Sequence, residues 1–207
     1  MHVFDAGHIE VQVHPELGDR EAAREQAEIY APIFGRLPWA VVAGVQELEI
    51  QRQGLRASLP LPQVVTVHTE ATVENPPDVI RHGFMEEMFL HEAVHVTLDP
   101  HHKAAPGWLD AQRADPTFIS TYAQDWPNRE DLAETLSAWF AVRYRPDRLS
   151  ASQEQAILDA VPARLAYLDR QHFDMSPYVR VAPVPALPLA GLLLLAVLLV
   201  TRGVRMR

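Results

Sequence analysis

Residues 84–100, FMEEMFLHEAVHVTLDP, are the stretch of sequence that decides the fold. Glu86 and Glu87 lie in the first turns of this segment, where the helix dipole favours negative charge. Pro100 cannot continue a helix, so the segment should end just before it. From Met88 onward the helix is apolar nearly all round. The pattern therefore predicts a helix that is buried at the centre of the molecule.

Within this helix, two histidines and a glutamate follow the spacing of a metal site. His91 and His95 are four residues apart, so both imidazoles lie on one helix face and can reach one Zn²⁺ ion. Glu92 follows the first histidine and projects beside it toward a water molecule. The alternative is two core histidines satisfied by hydrogen bonds, which the 10 histidines of this 207-residue chain make easier to find by chance. Buried imidazoles would still need partners or a metal, and we expect Zn²⁺.

A zinc site of this kind needs a third protein ligand, and a thiolate is excluded because the chain has no cysteine. The first candidate is Glu130, in the segment 128–134, NREDLAE. This segment is predicted to open a second helix with Asn128 as its N-cap. Glu130 and Glu134 lie one turn apart, so one carboxylate can bind the metal while the other accepts the Nδ1 proton of a ligand histidine.

Two alternatives to Glu130 as the third ligand stay open. His101 lies ten residues after His91, which matches the histidine spacing of the metzincin pattern. Metzincins turn the chain back with a glycine three residues after the second histidine, and here that position is Leu98, so the tight turn is unsupported. The other alternative is Glu134 as the ligand, with Glu130 in the outer shell.

Together the two motifs resemble the gluzincin arrangement, and most closely the short zincins related to lethal factor. In that group a His-Glu-x-x-His helix is followed some tens of residues later by a Glu-x-x-Ala-Glu helix, here residues 91–95 and 130–134. The resemblance covers residues 80–145. It implies an α+β, zincin-like domain with a short sheet and a two-helix zinc site.

The resemblance also implies roles in zinc-dependent peptide-bond hydrolysis. Glu130 would be the ligand and Glu134 the outer-shell carboxylate. Zinc lowers the pKa of a bound water toward about 7, so Glu92 can act as the general base. Tyr122 matches a tyrosine that assists the oxyanion, and Tyr144 is the weaker alternative. The expected substrate is a peptide or protein; the alternative is a zincin-fold binding module that keeps zinc without turnover, which an intact Glu92 disfavours.

The first 176 residues are predicted to form this one domain, because a chain of that length buries a sufficient core. Strands are predicted over 8–13, 45–51 and 63–69, and further helices over 19–34, 107–114 and 152–171. We expect residues 63–69 to be an edge strand that holds an extended substrate beside the metal. The net charge of −9 and the lack of a basic stripe disfavour nucleic-acid binding.

The C-terminus predicts attachment to a membrane. Residues 177–188 are a proline-rich linker, and residues 189–207 hold an unbroken apolar run that ends in three arginines. This run predicts a transmembrane helix, because a buried core helix would not explain the arginines. The segment 184–188, VPALP, resembles the VPxPA-like variant of PEP-CTERM sorting signals, which in bacterial envelope proteins are processed by an exosortase.

These features imply a membrane-anchored protein of the bacterial cell envelope, with the catalytic domain outside the cytoplasm. Residues 1–20 contain no apolar region of a secretory signal. Either the true start lies upstream of Met1, which we favour, or the protein is a cytoplasmic, tail-anchored protease.

Overall fold

A four-stranded mixed sheet forms one layer of the structure, a computed structural model that describes residues 1–52, 63–69 and 83–181. The strands lie in the order β1-β2-β3-β4, with β1 antiparallel to β2 and the other neighbours parallel. Their bounds are β1 (His2–Asp5), β2 (Glu10–Val13), β3 (Glu47–Gln51) and β4 (Val64–His68). Among the described strands β4 lies at an edge of the sheet, as predicted for residues 63–69.

Alternating side chains explain why these segments form strands. Every second residue of β2, β3 and β4 is buried on the same face of the sheet, because successive side chains of a strand point to opposite faces. These buried residues are Val11, Val13, Leu48, Ile50, Val65 and Val67. Strand β1 was not predicted, since its sequence His-Val-Phe-Asp does not alternate between polar and apolar residues.

Nine helices complete the described part of the chain. Their bounds are α1 (Arg20–Phe34), α2 (Trp39–Val42), α3 (Phe84–Thr97), α4 (Asp99–His102), α5 (Pro106–Ala114), α6 (Thr121–Asp125), α7 (Asp131–Tyr144), α8 (Ala151–Ala160) and α9 (Pro162–Asp169). The protein is therefore α+β, as predicted. None of the helices in the described ranges is long and apolar enough to cross a membrane.

Helix α3 lies at the centre of this arrangement, as its apolar sequence predicts. It packs against α7, α2 and α1, and against β4. The Phe89 ring meets the rings of Tyr30 and Phe34 edge-on, with centroids 6.4 and 5.6 Å away. At its C-terminal end, the Thr97 hydroxyl donates a hydrogen bond of 2.6 Å to the carbonyl of Val41. These contacts fix the helix that carries both histidines.

Two predicted helix boundaries are wrong. Asn128 is not an N-cap, because α7 begins at Asp131 and Glu130 occupies the capping position. The carbonyl of Trp126 accepts hydrogen bonds from the backbone N–H groups of residues 129 and 130, which closes a turn before the helix. The single helix predicted over 152–171 is divided into α8 and α9, because Pro162 cannot continue α8 and starts a new helix.

The segment after α9 stays in contact with the domain up to Val181. The carbonyl of Ser176 accepts a hydrogen bond of 2.9 Å from the N–H of Trp39, and the N–H of Val181 donates one of 2.8 Å to the carbonyl of Arg143. The folded unit therefore extends past the predicted boundary at residue 176. Most of the predicted linker 177–188 and the whole predicted transmembrane segment 189–207 lie outside the described residues.

Candidate metal centre

Three side chains from α3 and the turn before α7 converge on one point. The Nε2 atoms of His91 and His95 are 3.1 Å apart. Glu130 Oε2 lies 3.2 Å from the first of these nitrogens and 3.1 Å from the second. These are the residues that the sequence predicts as zinc ligands, and among the described residues they form the one group whose atoms could hold a metal ion.

The outer ring nitrogens of both histidines face carboxylates. Glu134 Oε1 lies 3.2 Å from His91 Nδ1, which confirms the prediction that Glu134 reaches a ring nitrogen of one of these histidines. The Ser120 hydroxyl donates to the other oxygen of Glu134 over 2.7 Å. On the second histidine, His95 Nδ1 lies 3.0 Å from Oδ2 of the buried Asp99. Each carboxylate favours the tautomer with the proton on Nδ1. In that tautomer Nε2 is unprotonated, and its lone pair is free to bind a metal ion.

The spacing and chemistry of the three inner atoms fit a zinc ion. Donors at about 2.0–2.1 Å from a tetrahedral Zn²⁺ stand about 3.3 Å from one another, close to the distances of 3.1–3.2 Å found here. With both ring protons on Nδ1, the two imidazole nitrogens and the carboxylate oxygen are all acceptors, so none of them can donate a hydrogen bond to another. A cation at the centre satisfies all three. Two nitrogens and one oxygen are also a donor set that suits zinc.

The charges at this cluster stabilise the ionised carboxylate of Glu130. Burial disfavours that charge, but the charge of His95, a hydrogen bond from Tyr122 and the contacts with His91 outweigh it, so the pKa of Glu130 is lowered. Burial likewise opposes protonation of His95, yet the hydrogen bond and charge of Asp99 raise its pKa. A proton and a metal ion therefore compete for His95 Nε2.

The two residues predicted to act on substrate also lie at this cluster. Glu92 is half-buried on α3, and its charge acts on both His95 and Tyr122. Tyr122 lies in α6 with 47% of its surface exposed, and its hydroxyl hydrogen-bonds to Glu130. Burial and the charge of Glu130 raise the pKa of Tyr122, so its phenol remains a proton donor at neutral pH.

The structure does not bring the alternative residues to the cluster. His101 is exposed in α4, which follows α3 directly instead of turning back toward the histidines. Tyr144 stacks on Phe140 and contacts Trp139 at the far end of α7 from Glu130. Fourteen helical residues separate those ends by about 21 Å.

Two parts of this centre were not predicted from the sequence. The first is Asp99, whose spacing of four from His95 is a sequence signal for this contact. The second is Arg129, whose Nη2 atom lies 3.2 Å from Glu130 Oε1.

A buried ion-pair network supports the segments that carry Tyr122 and Glu130. Arg164, on α9, is fully buried and donates to Oδ2 of Asp115 over 2.8 Å and to Oδ1 of Asp131. Asp131 directly follows Glu130, and Asp115 begins the loop that leads to α6. Burial raises the pKa of Asp131, and hydrogen bonds from Gln112 and Arg164 oppose that rise.

No protein-family model, no curated protein and no solved structure matches this chain. The resemblance to gluzincins therefore rests on the two sequence motifs.

Proposed function

We propose that this protein is a zinc metallopeptidase that resembles the gluzincins, with His91, His95 and Glu130 as zinc ligands. The observation that carries this proposal is the triangle of two imidazole nitrogens and one carboxylate oxygen with edges of 3.1–3.2 Å. Glu92 and Tyr122 supply further support, because both lie at the triangle and neither is needed to hold a metal.

The residues around the triangle can divide the hydrolysis of a peptide bond between them. A zinc ion held there would act as a Lewis acid toward the peptide carbonyl and acidify water. Glu92 accepts the proton of the attacking water and passes it to the leaving amine. The Tyr122 hydroxyl donates a hydrogen bond to the carbonyl oxygen as negative charge develops on it.

The edge of the sheet offers a place for the substrate chain. Strand β4 packs against α3, which carries both histidines, and has no further neighbour among the described strands. An extended peptide can add to such an edge through backbone hydrogen bonds, which bind main chain and leave the side-chain preference open. A peptide or protein is therefore the substrate class that we propose.

The cellular setting stays a prediction from the sequence. Membrane anchoring in a bacterial envelope and processing by an exosortase rest on the tail, and residues 182–207 lie outside the described residues. The alternative of a cytoplasmic, tail-anchored protease stays open with them.

The first test concerns the metal ligands. We expect the purified chain to bind about one zinc per molecule, since three protein ligands leave one open position. Glu130→Ala should lose stoichiometric zinc, measured by elemental analysis after dialysis, while His101→Ala should retain it. The opposite pattern would assign the third ligand to His101 and contradict the proposed centre.

The second test concerns catalysis. Glu92→Gln should keep zinc and fold but lose cleavage of a peptide library, because the amide cannot accept a proton from water. Zinc content and circular dichroism serve as controls for the loss. Equal cleavage by this variant and the wild type would show that the activity does not depend on Glu92. A wild-type chain that binds zinc and cleaves no peptide would favour the binding module.

A further inference from the structure

The two oxygens of Glu130 have different partners. Oε2 faces the two histidine nitrogens, whereas Oε1 lies 3.2 Å from Nη2 of Arg129. The Glu130 side chain is 5% exposed and the Arg129 side chain is 67% exposed. The guanidinium thus reaches from the surface to a buried carboxylate, at the oxygen that does not face the two histidine nitrogens.

Arg129 is held in this position from two directions. Its backbone N–H donates a hydrogen bond of 3.0 Å to the carbonyl of Trp126, within the turn that precedes α7. Its guanidinium carbon also lies 5.4 Å from the centroid of the Trp126 ring, in a cation–π arrangement. These contacts limit the directions that the side chain can take, so its approach to Glu130 is not a chance feature of a flexible surface arginine.

A carboxylate can bind a metal ion through one oxygen or through both. Binding through both would fill the position that a catalytic zinc site leaves open. A guanidinium on one oxygen opposes this, because the ion pair would have to break before that oxygen could turn to the metal. Tyr122 also hydrogen-bonds to this carboxylate, but its phenol is neutral.

We infer that Arg129 is a positioning residue that keeps Glu130 bound through Oε2 alone, and that it thereby holds the fourth coordination position open. This inference rests on the proposed zinc centre and adds to it a residue that sets the coordination number. Tyr122 does not duplicate this role, because its neutral phenol forms no ion pair with the carboxylate, whereas Arg129 pairs with Oε1.

The test uses the full chain loaded with Co²⁺ in place of zinc, because the visible absorption of Co²⁺ is intense in four-coordinate sites and weak in five-coordinate sites. We expect a four-coordinate spectrum for the wild type and a weaker, five-coordinate spectrum for Arg129→Ala. Co²⁺ affinity should fall by no more than about 100-fold, since all three donors remain and only a residue that orients one of them is lost. Arg129→Lys should restore the four-coordinate spectrum, because its ammonium can still donate to Oε1.

Arg113→Ala is the matched control. Arg113 is also 67% exposed and also pairs with an acidic residue, Asp110, but it lies on α5 and its partner is not a candidate ligand. Its spectrum should equal that of the wild type. Tyr122→Phe should also keep the four-coordinate spectrum.

Two outcomes would overturn the inference, and they can be told apart. An unchanged spectrum in Arg129→Ala, with the wild type loaded, refutes the role of Arg129 and leaves the zinc centre intact. Absence of Co²⁺ and zinc binding by the wild type refutes the proposed function and the inference together. A five-coordinate spectrum for Tyr122→Phe but not for Arg129→Ala would give the role to the phenol.

Discussion

In the proposed zinc centre, Glu134 and Asp99 would decide which nitrogen of each histidine is free for the metal. Glu134 Oε1 lies 3.2 Å from His91 Nδ1, and Asp99 Oδ2 lies 3.0 Å from His95 Nδ1. Their surroundings differ, since Asp99 is nearly fully buried whereas the Glu134 side chain is about a quarter exposed. Lys103 also places its ammonium 3.2 Å from Asp99 Oδ2. Loss of either carboxylate should therefore weaken zinc binding to a similar degree, and loss of Asp99 should also lower the stability of the fold.

We expect Glu134→Ala to weaken zinc binding by about 10-fold to 100-fold without abolishing it, as is usual for residues that orient a ligand histidine. Asp99→Ala should weaken it to a similar degree and also lower stability, because it removes a buried partner of His95. Competition with a chromogenic chelator gives the affinities, and Asp159→Ala, an exposed acid on α8, is the control. Wild-type affinity in both variants would contradict the orienting role.

At the scale of single residues, the contacts that can be predicted from the sequence are those that depend only on spacing along one helix. His91 and His95 share a face of α3, and Glu134 follows Glu130 by one turn, so their juxtaposition needs no knowledge of the fold. Arg129 could not be predicted in this way. Its contact with Glu130 depends on the turn that Trp126 closes, and that turn replaces a predicted helix start.

At the scale of elements, α9 supports the candidate metal centre although it contributes none of the three candidate ligands. Arg164 joins α9 to Asp131, at the start of α7, and to Asp115, at the end of α5. Asp115 also accepts hydrogen bonds from the backbone N–H groups of residues 163 and 164, at the beginning of α9. One cation thus fixes three helix ends around the segment that carries Tyr122.

Arg164→Met should lower the free energy of unfolding by about 3–5 kcal/mol, because it leaves two buried carboxylates without their cation. Urea unfolding of the zinc-free chain measures this. Arg113→Met, an exposed arginine on α5, should change stability by less than about 0.5 kcal/mol. A loss below about 1 kcal/mol for Arg164→Met would mean that the network adds little to the packing of α9.

Helix ends show where prediction of elements from this sequence stops. The start of α1 is predictable because the Asp19 carboxylate caps it, accepting from the N–H groups of Glu21 and Ala22. The start of α7 is not, because Asn128 has the right chemistry for a cap but lies within a turn that backbone hydrogen bonds to the Trp126 carbonyl close. Pro162 divides α8 from α9, although the apolar periodicity alone continues through it.

At the scale of the whole molecule, the described chain ends in a segment that lies on the domain. The ring of Tyr178 meets that of Phe140 edge-on at 4.9 Å, and Arg180 donates to Asp169 over 2.6 Å. Asp169 also accepts two hydrogen bonds from Arg143 and one from Trp139. The sequence predicts a proline-rich linker here, and composition could not reveal that its first residues pair with α7 and α9.

We therefore expect a chain that ends at Val181 to be as stable as the domain of the full chain. A chain that ends at Ser176 should still fold and bind zinc, but it should lose about 1–3 kcal/mol, because the contacts of Arg180 and Val181 are removed and hydrogen bonds to a charged partner contribute about that much. Urea unfolding compares the two. Equal stability would mean that residues 177–181 rest on the domain without supporting it.

A comparison of the full chain with the chain that ends at Val181 also tests the tail. The full chain should sediment with lipid vesicles, because residues 189–200 are uniformly apolar and offer no polar face to water. The chain that ends at Val181 should remain in the supernatant, because it lacks this apolar run. Sedimentation of both chains would place membrane affinity in the domain itself. A full chain that stays soluble without detergent and without vesicles would contradict the prediction of a transmembrane segment. It would also contradict the predicted envelope location, which depends on that segment.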